Sequence, residues 1–199
     1  MLRRTTFPSS VIAVFVLLLS VVCVGRTDAA PQTMRVDYFH TGNENEEHFS
    51  VDRVLVEPLP WPGNPAKAID ATNLGKYFFE VVDSATGRTV YSRGFSSIYG
   101  EWETTAEAKT INRTFSESLR FPAIDKPARI VVKKRDAKNV FRDIWTLTVD
   151  PADKFVERGR STTPAGPLLK LHESGDPANK LDLLILGDGY TAAERPKFE

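Results

Sequence analysis

The sequence has one cysteine, three histidines and no excess of either charge, and each scarcity removes a class of function. Cys23 lies in an N-terminal apolar run, so the rest of the chain can form no disulfide and offers no thiol nucleophile. Lys+Arg and Asp+Glu number 26 each, which leaves no basic surplus of the kind that nucleic-acid binding requires. No H-E-x-x-H occurs, and no Cys/His group has zinc-ligand spacing. The nucleophile elbow G-x-S-x-G of serine hydrolases is also missing. No apolar run reaches the roughly 20 residues that a membrane-spanning helix needs.

What is present begins with a leader. Arg3 and Arg4 precede Val11 to Val24, in which only Ser20 is not apolar. A basic start and a short apolar run predict a signal peptide over residues 1–29. Cleavage after Ala29 would use Thr27 and Ala29 as the small residues, and cleavage after Gly25 is the alternative. Ser20-Val21-Val22 is a poor approach to a lipidated Cys23, so a lipoprotein is the lesser reading. Without residues 1–29 the chain keeps 23 basic and 25 acidic side chains, a net charge of −2. A disulfide-free secreted chain depends on its core, and about 170 residues are enough to build one.

From Thr33 to Asp150 the apolar pattern alternates, as half-buried strands require. Met34, Val36 and Tyr38 alternate with Arg35 and Asp37. Between Ile111 and Phe121 the odd positions read Ile, Arg, Phe, Glu, Leu, Phe against a polar even face. Further strands are expected at 47–57, 76–83, 88–96, 128–135 and 141–149. "DSATGR" and "KKRDAKNV" read as the turns of two hairpins. Seven short strands punctuated by Pro and Gly predict a mainly β fold, an antiparallel β-sandwich over residues 30–155. "EPLPWPGNPAKA" at 57–68 carries four prolines and is expected to be a loop. Thr104 to Lys109 could form a helical turn. Residues 156–180 read as a linker. Leu181–Leu186 is a continuous apolar run followed by a glycine turn, which predicts the first strand, turn and helix of an α/β domain at 181–199.

Three features invite a functional reading. The turn Gly187-Asp188-Gly189-Tyr190 has the glycines of a dinucleotide fingerprint, but Asp188 and Glu194 would repel a pyrophosphate. A domain-start turn, with Thr191 and Glu194 forming a capping box, accounts for it better. Pro196 disturbs a regular helix there. His40 and His48 flank an acidic stretch that reads as a solvated turn, and His172 lies in the linker. The stretch "RGFSSIYGEWETT" concentrates Phe95, Ile98, Tyr99 and Trp102. Phe95, Tyr99 and Trp102 are candidates for partner or substrate contact; the alternative is that they fold over one end of the sandwich. Asn112-Arg113-Thr114 is a formal glycosylation acceptor on the outward face.

The stretch 93–145, "RGFSSIYGEWETTAEAKTINRTFSESLRFPAIDKPARIVVKKRDAKNVFRDIW", resembles the N-terminal domain of the IgA Peptidase family, secreted bacterial zinc metallopeptidases. "DLLILGDGYTAAERPKF" is similar to the first strand and turn of that family's catalytic domain. The resemblance implies a β-sandwich followed by a zincin-type α/β domain, and a secreted, periplasmic or cell-surface bacterial protein. It implies zinc in a catalytic domain whose H-E-x-x-H lies beyond residue 199, so neither a catalytic nor a metal role transfers to any residue here. The chain itself is expected to hold no cofactor and to be inactive alone. Its expected partners are that catalytic domain and a protein substrate. The rival expectation is a standalone secreted β-sandwich that binds glycans or host proteins. Residues 181–199 lack sheet neighbours and are expected to dock on the sandwich or fray.

Overall fold

In the computed structural model the described residues are 30–159, 170–176, 179–181, 183–185, 187, 189, 191–194 and 196. The expected signal segment, 1–29, lies outside them, as do residues 160–169 of the expected linker. Among the described residues eight strands form: β1 (Gln32–Gly42), β2 (Glu47–Pro60), β3 (Tyr77–Asp83), β4 (Thr89–Phe95), β5 (Arg113–Pro122), β6 (Ala128–Arg135), β7 (Phe141–Val149) and β8 (Val156–Arg158). One short helix, α1 (Ile98–Trp102), follows β4. The strands make two four-stranded sheets, ordered β5-β1-β2-β8 and β4-β3-β6-β7. All pairings are antiparallel except β2 with β8.

The alternation seen in the sequence is the one the sheets use. Met34, Val36 and Tyr38 of β1 and Leu119 and Phe121 of β5 face Phe79, Val81, Tyr91, Ile130 and Val132 of the other sheet. Side chains of successive strand residues point to opposite faces, so one alternating run supplies one core face and one wet face. Phe121 is fully buried and meets Phe79 and Tyr91 at ring-centroid distances of 6.3 and 6.5 Å.

Both hairpins close through aspartate. The Asp83 carboxylate accepts from the N–H groups of Ala85 and Thr86, and Gly87 takes φ +70°, a left-handed position glycine enters without strain. Asp136 does the same for Lys138 and Val140, with Asn139 at φ 62°.

Three expectations change. β2 runs through Pro58 to Pro60, because a register shift opposite Gln32 and Met34 removes the demand for regular pairing there. Trp61 N–H then donates to Pro31 C=O at 2.6 Å. β8 adds an eighth strand and carries the sandwich three residues past 155, held parallel to Val54–Val56. Last, Leu181, Leu183, Leu184 and Ile185 belong to no strand and are 90, 80, 68 and 53% exposed. A strand exists through its hydrogen-bonded neighbour, and none of the described residues pairs with this run.

Candidate functional site

One end of the sandwich encloses a cluster of charges. His40 continues the inward series of β1 and is 1% exposed. Its Nε2 lies 2.9 Å from Glu47 Oε2 and its Nδ1 3.1 Å from Glu117 Oε2. The ring is stacked between Tyr99, at 3.8 Å, and Phe49, at 4.3 Å. Around it, Tyr38 donates its hydroxyl to Glu117 and Tyr77 to Glu47. Lys134 Nζ donates to Glu47 and Glu103 at 2.8 Å each, and Lys76 pairs with Glu103. The charges balance when the imidazole is protonated: His40, Lys76 and Lys134 against Glu47, Glu103 and Glu117.

Helix α1 seals this end. Ser97 caps it, its hydroxyl accepting from Gly100 N–H at 2.9 Å. Gly100 passes so close to Tyr77 that an added Cβ would lie 2.7 Å from the ring. Tyr99 N–H donates to Glu117, and the Tyr99 phenol proton is shared between the carbonyls of Asn43 and Glu46. Trp102 donates its indole N–H to Glu107 at 2.7 Å. Tyr99 is fully buried and Trp102 is 7% exposed, and both pack on Phe115. Phe95 is half-buried against the core. The three aromatics singled out in the sequence therefore do not form an exposed platform.

Burial works against the charge on His40, but the hydrogen bonds it donates to Glu117 and Glu47 outweigh it and hold the imidazolium above its usual range. Burial likewise opposes ionisation of Glu47 and Glu117. Hydrogen bonds from His40 to both, from Lys134 to Glu47 and from the Tyr99 N–H to Glu117 prevail, so both carboxyls fall below the usual carboxylate range. The raised His40 value contributes stability that is complete below about pH 6.5 and is lost as pH rises through the folded-state value. The depressed glutamates contribute above about pH 4.5 and lose that contribution as pH falls through their folded-state values. Stability measured by urea unfolding is therefore expected to peak in mildly acidic solution and decline on both sides. In a His40→Phe variant the alkaline decline should flatten; an unchanged decline would assign it elsewhere.

A second charged cluster lies on the outer face of the first sheet. Asp37 accepts from Arg35 Nε at 2.8 Å, Arg53 Nε at 2.8 Å and Ser118 Oγ at 2.6 Å. Glu57 joins Arg35 and Arg120 beside it. These bonds lace β2, β1 and β5 together and leave Asp37 no reactive lone pair.

Neither cluster has the form of a catalytic or metal centre. Both nitrogens of His40 are taken by carboxylates that approach different sides of the ring, so no common point can hold an ion, and stacked rings exclude water. His48, read as solvated, is exposed beside Glu46 at 3.7 Å, and His172 is exposed. Among the described residues, no three His, Cys, Asp or Glu side chains converge on a metal position. The histidines thus do not fit the zinc that the resemblance implies.

Two family matches settle the chain's kinship. Residues 27–146 match Peptidase M64 N-terminus, and residues 169–199 match IgA Peptidase M64. The chain belongs to the M64 peptidase family. No curated protein matches it.

The M64 N-terminal match ends inside β7, so it takes in β1 to β6, most of β7 and the buried histidine, and stops short of β8. The IgA Peptidase M64 match contains the glycine turn. Gly187 is exposed and Gly189 takes φ +78°, while Asp188 and Tyr190 lie outside the described residues. Thr191 N–H and hydroxyl both donate to Glu194, which begins the expected capping box around a single 3-10 turn at Ala192–Glu194. Pro196 is helical. No helix among the described residues is long and apolar enough to cross a membrane.

Sequence reading placed His40 in a solvated turn, and the structure corrects this. The available signal was parity: 34, 36, 38 and 40 are one face of β1, while 117 belongs to the inward face of β5. A polar residue continuing an inward series on two neighbouring strands announces a buried pair.

Proposed function

We propose that this chain is the N-terminal portion of a secreted zinc metallopeptidase whose β-sandwich packs against and supports a catalytic domain that follows it. The observation that carries this reading is the order of the two M64 matches on one chain, the N-terminal family first and the peptidase family after it. The exposed Leu181, Leu183, Leu184 and Ile185 then correspond to the opening strand of the catalytic domain, which would gain its cover from sheet neighbours there. Zinc belongs to that domain and not to any residue described above. Residues 1–29 serve as the signal that takes the protein out of the cytoplasm. The burial of Tyr99 and Trp102 weighs against the standalone binding module, because their rings are spent on the fold. Family kinship alone does not set the substrate.

The 199-residue chain is expected to give no chelator-sensitive proteolysis of a general protein substrate, with or without added zinc. Turnover abolished by chelator would overturn the reading. The encoding gene is expected to continue into an H-E-x-x-H within one domain's length, and its absence there would reject the peptidase assignment. Deleting the sandwich from the longer protein should lower peptidase turnover, whereas undiminished turnover and yield would reject the supporting role.

A further inference from the structure

The two sheets do not close against each other along the seam between β4 and β5. A groove of about 440 Å³ opens there, within the volume range of ligand sites. Trp61, Phe79 and Phe95 line it with aromatic surface, and Arg93 and Arg120 add two positive charges. None of the lining residues is acidic. Trp61 is held in place: its ring meets Tyr91 edge-on at 5.6 Å, and a Cβ on Gly63 would lie 2.4 Å from its indole nitrogen.

The lining also shows which backbone the groove exposes. Ser118, Leu119 and Arg120 all contribute. Successive side chains of a strand point to opposite faces, so three consecutive residues border a space only along the strand's edge. β5 is the edge strand of its sheet, and among the described residues no strand lies on its free side. β4 is the facing edge, but Arg93 shares its inward face with Tyr91 and Phe95. An inward-pointing charge is a recognised guard against strand addition. The inward charge of β5, Glu117, is taken up by Tyr38, His40 and the Tyr99 N–H and does not line the groove, so β4 is guarded there and β5 is open. Arg120 is already paired with Glu57. Arg93 lies within electrostatic reach of the Tyr91 phenol and of Asp70, yet among the described residues it closes no ion pair within 4 Å.

We propose that this groove binds an extended peptide segment that carries apolar side chains and an acidic one on the same face, two residues apart, added as a fifth strand along the free edge of β5. Main-chain bonds to β5 would hold it, as in other strand-addition complexes. Its apolar side chains would lie on Trp61 and Phe95, and a carboxylate would reach Arg93. The proposal is independent of the peptidase reading, since it uses only the sandwich.

The test uses the 15N-labelled 199-residue chain titrated with a blocked Thr-Val-Thr-Glu-Thr-Val-Thr peptide, whose Val and Glu side chains share one face of a strand, and, separately, with its lysine counterpart. The acidic peptide is expected to shift the amides of residues 118–120 and 93–96 and to slow hydrogen exchange along the β5 edge. Arg93→Glu, at an exposed position, should weaken the acidic peptide by about fivefold or more and spare the fold. Three outcomes would overturn the proposal: no shifts in those amides, equal binding of both peptides, or β5 edge protection that rises with protein concentration alone, which would mark the occupant as a second copy of the chain.

Discussion

Replacing His40 with alanine is expected to lower the free energy of unfolding by about 4 kcal/mol, a large share of the total for a domain of this size. The loss has two sources. A fully buried ring disappears from between Phe49 and Tyr99. Its removal also leaves Glu47 and Glu117 with one cation fewer in a water-poor pocket, and uncompensated buried charge is the costlier effect. Urea unfolding should show a lower midpoint with an unchanged slope. His40→Phe restores ring volume but not the charge, so it should recover only part of the loss. A His40→Ala loss below about 1 kcal/mol would mean that the pairing contributes little.

Tyr99→Ala is expected to cost about 3–4 kcal/mol. The ring is fully buried, it covers the imidazolium, and it packs with Trp102 and Phe115. Tyr99→Phe keeps the ring and should cost about 1–2 kcal/mol, because the carbonyls of Asn43 and Glu46 lose their shared donor. If Tyr99 instead met a partner from the surface, truncation would change stability by less than about 0.5 kcal/mol. A double-mutant cycle of His40→Ala and Tyr99→Ala should show coupling well above that of independent sites. Additive losses would reject the stacked lock.

The β-sandwich was legible because alternation is a local signal. β6 and β7 begin and end where the pattern does, and the turns at Asp83 and Asp136 carry their own chemistry. β8 was not legible: three residues are too short to show a period, and their pairing depends on Val54–Val56, about a hundred positions away. The charged cluster was hidden for a similar reason. Glu47 and Glu117 reach His40 from either side only after β2 and β5 have flanked β1. Phe95, Tyr99 and Trp102 stood out in the sequence by composition, which does not reveal exposure. The same composition served a lid in two cases and the wall of an open groove in the third.

The parallel pairing of β8 also sets how the sandwich would sit in a longer polypeptide. β2 runs toward the point where β1 begins, and β8 runs beside it in the same direction. Met34 and Arg158 therefore lie level at one pole, two strand spacings or about 10 Å apart, with Gln32 two residues beyond. A module with adjoining entry and exit adds bulk without adding reach. On the reading that residues 1–29 are a removable signal, the mature N-terminus would lie at the same pole where the chain leaves the sandwich at Gly159.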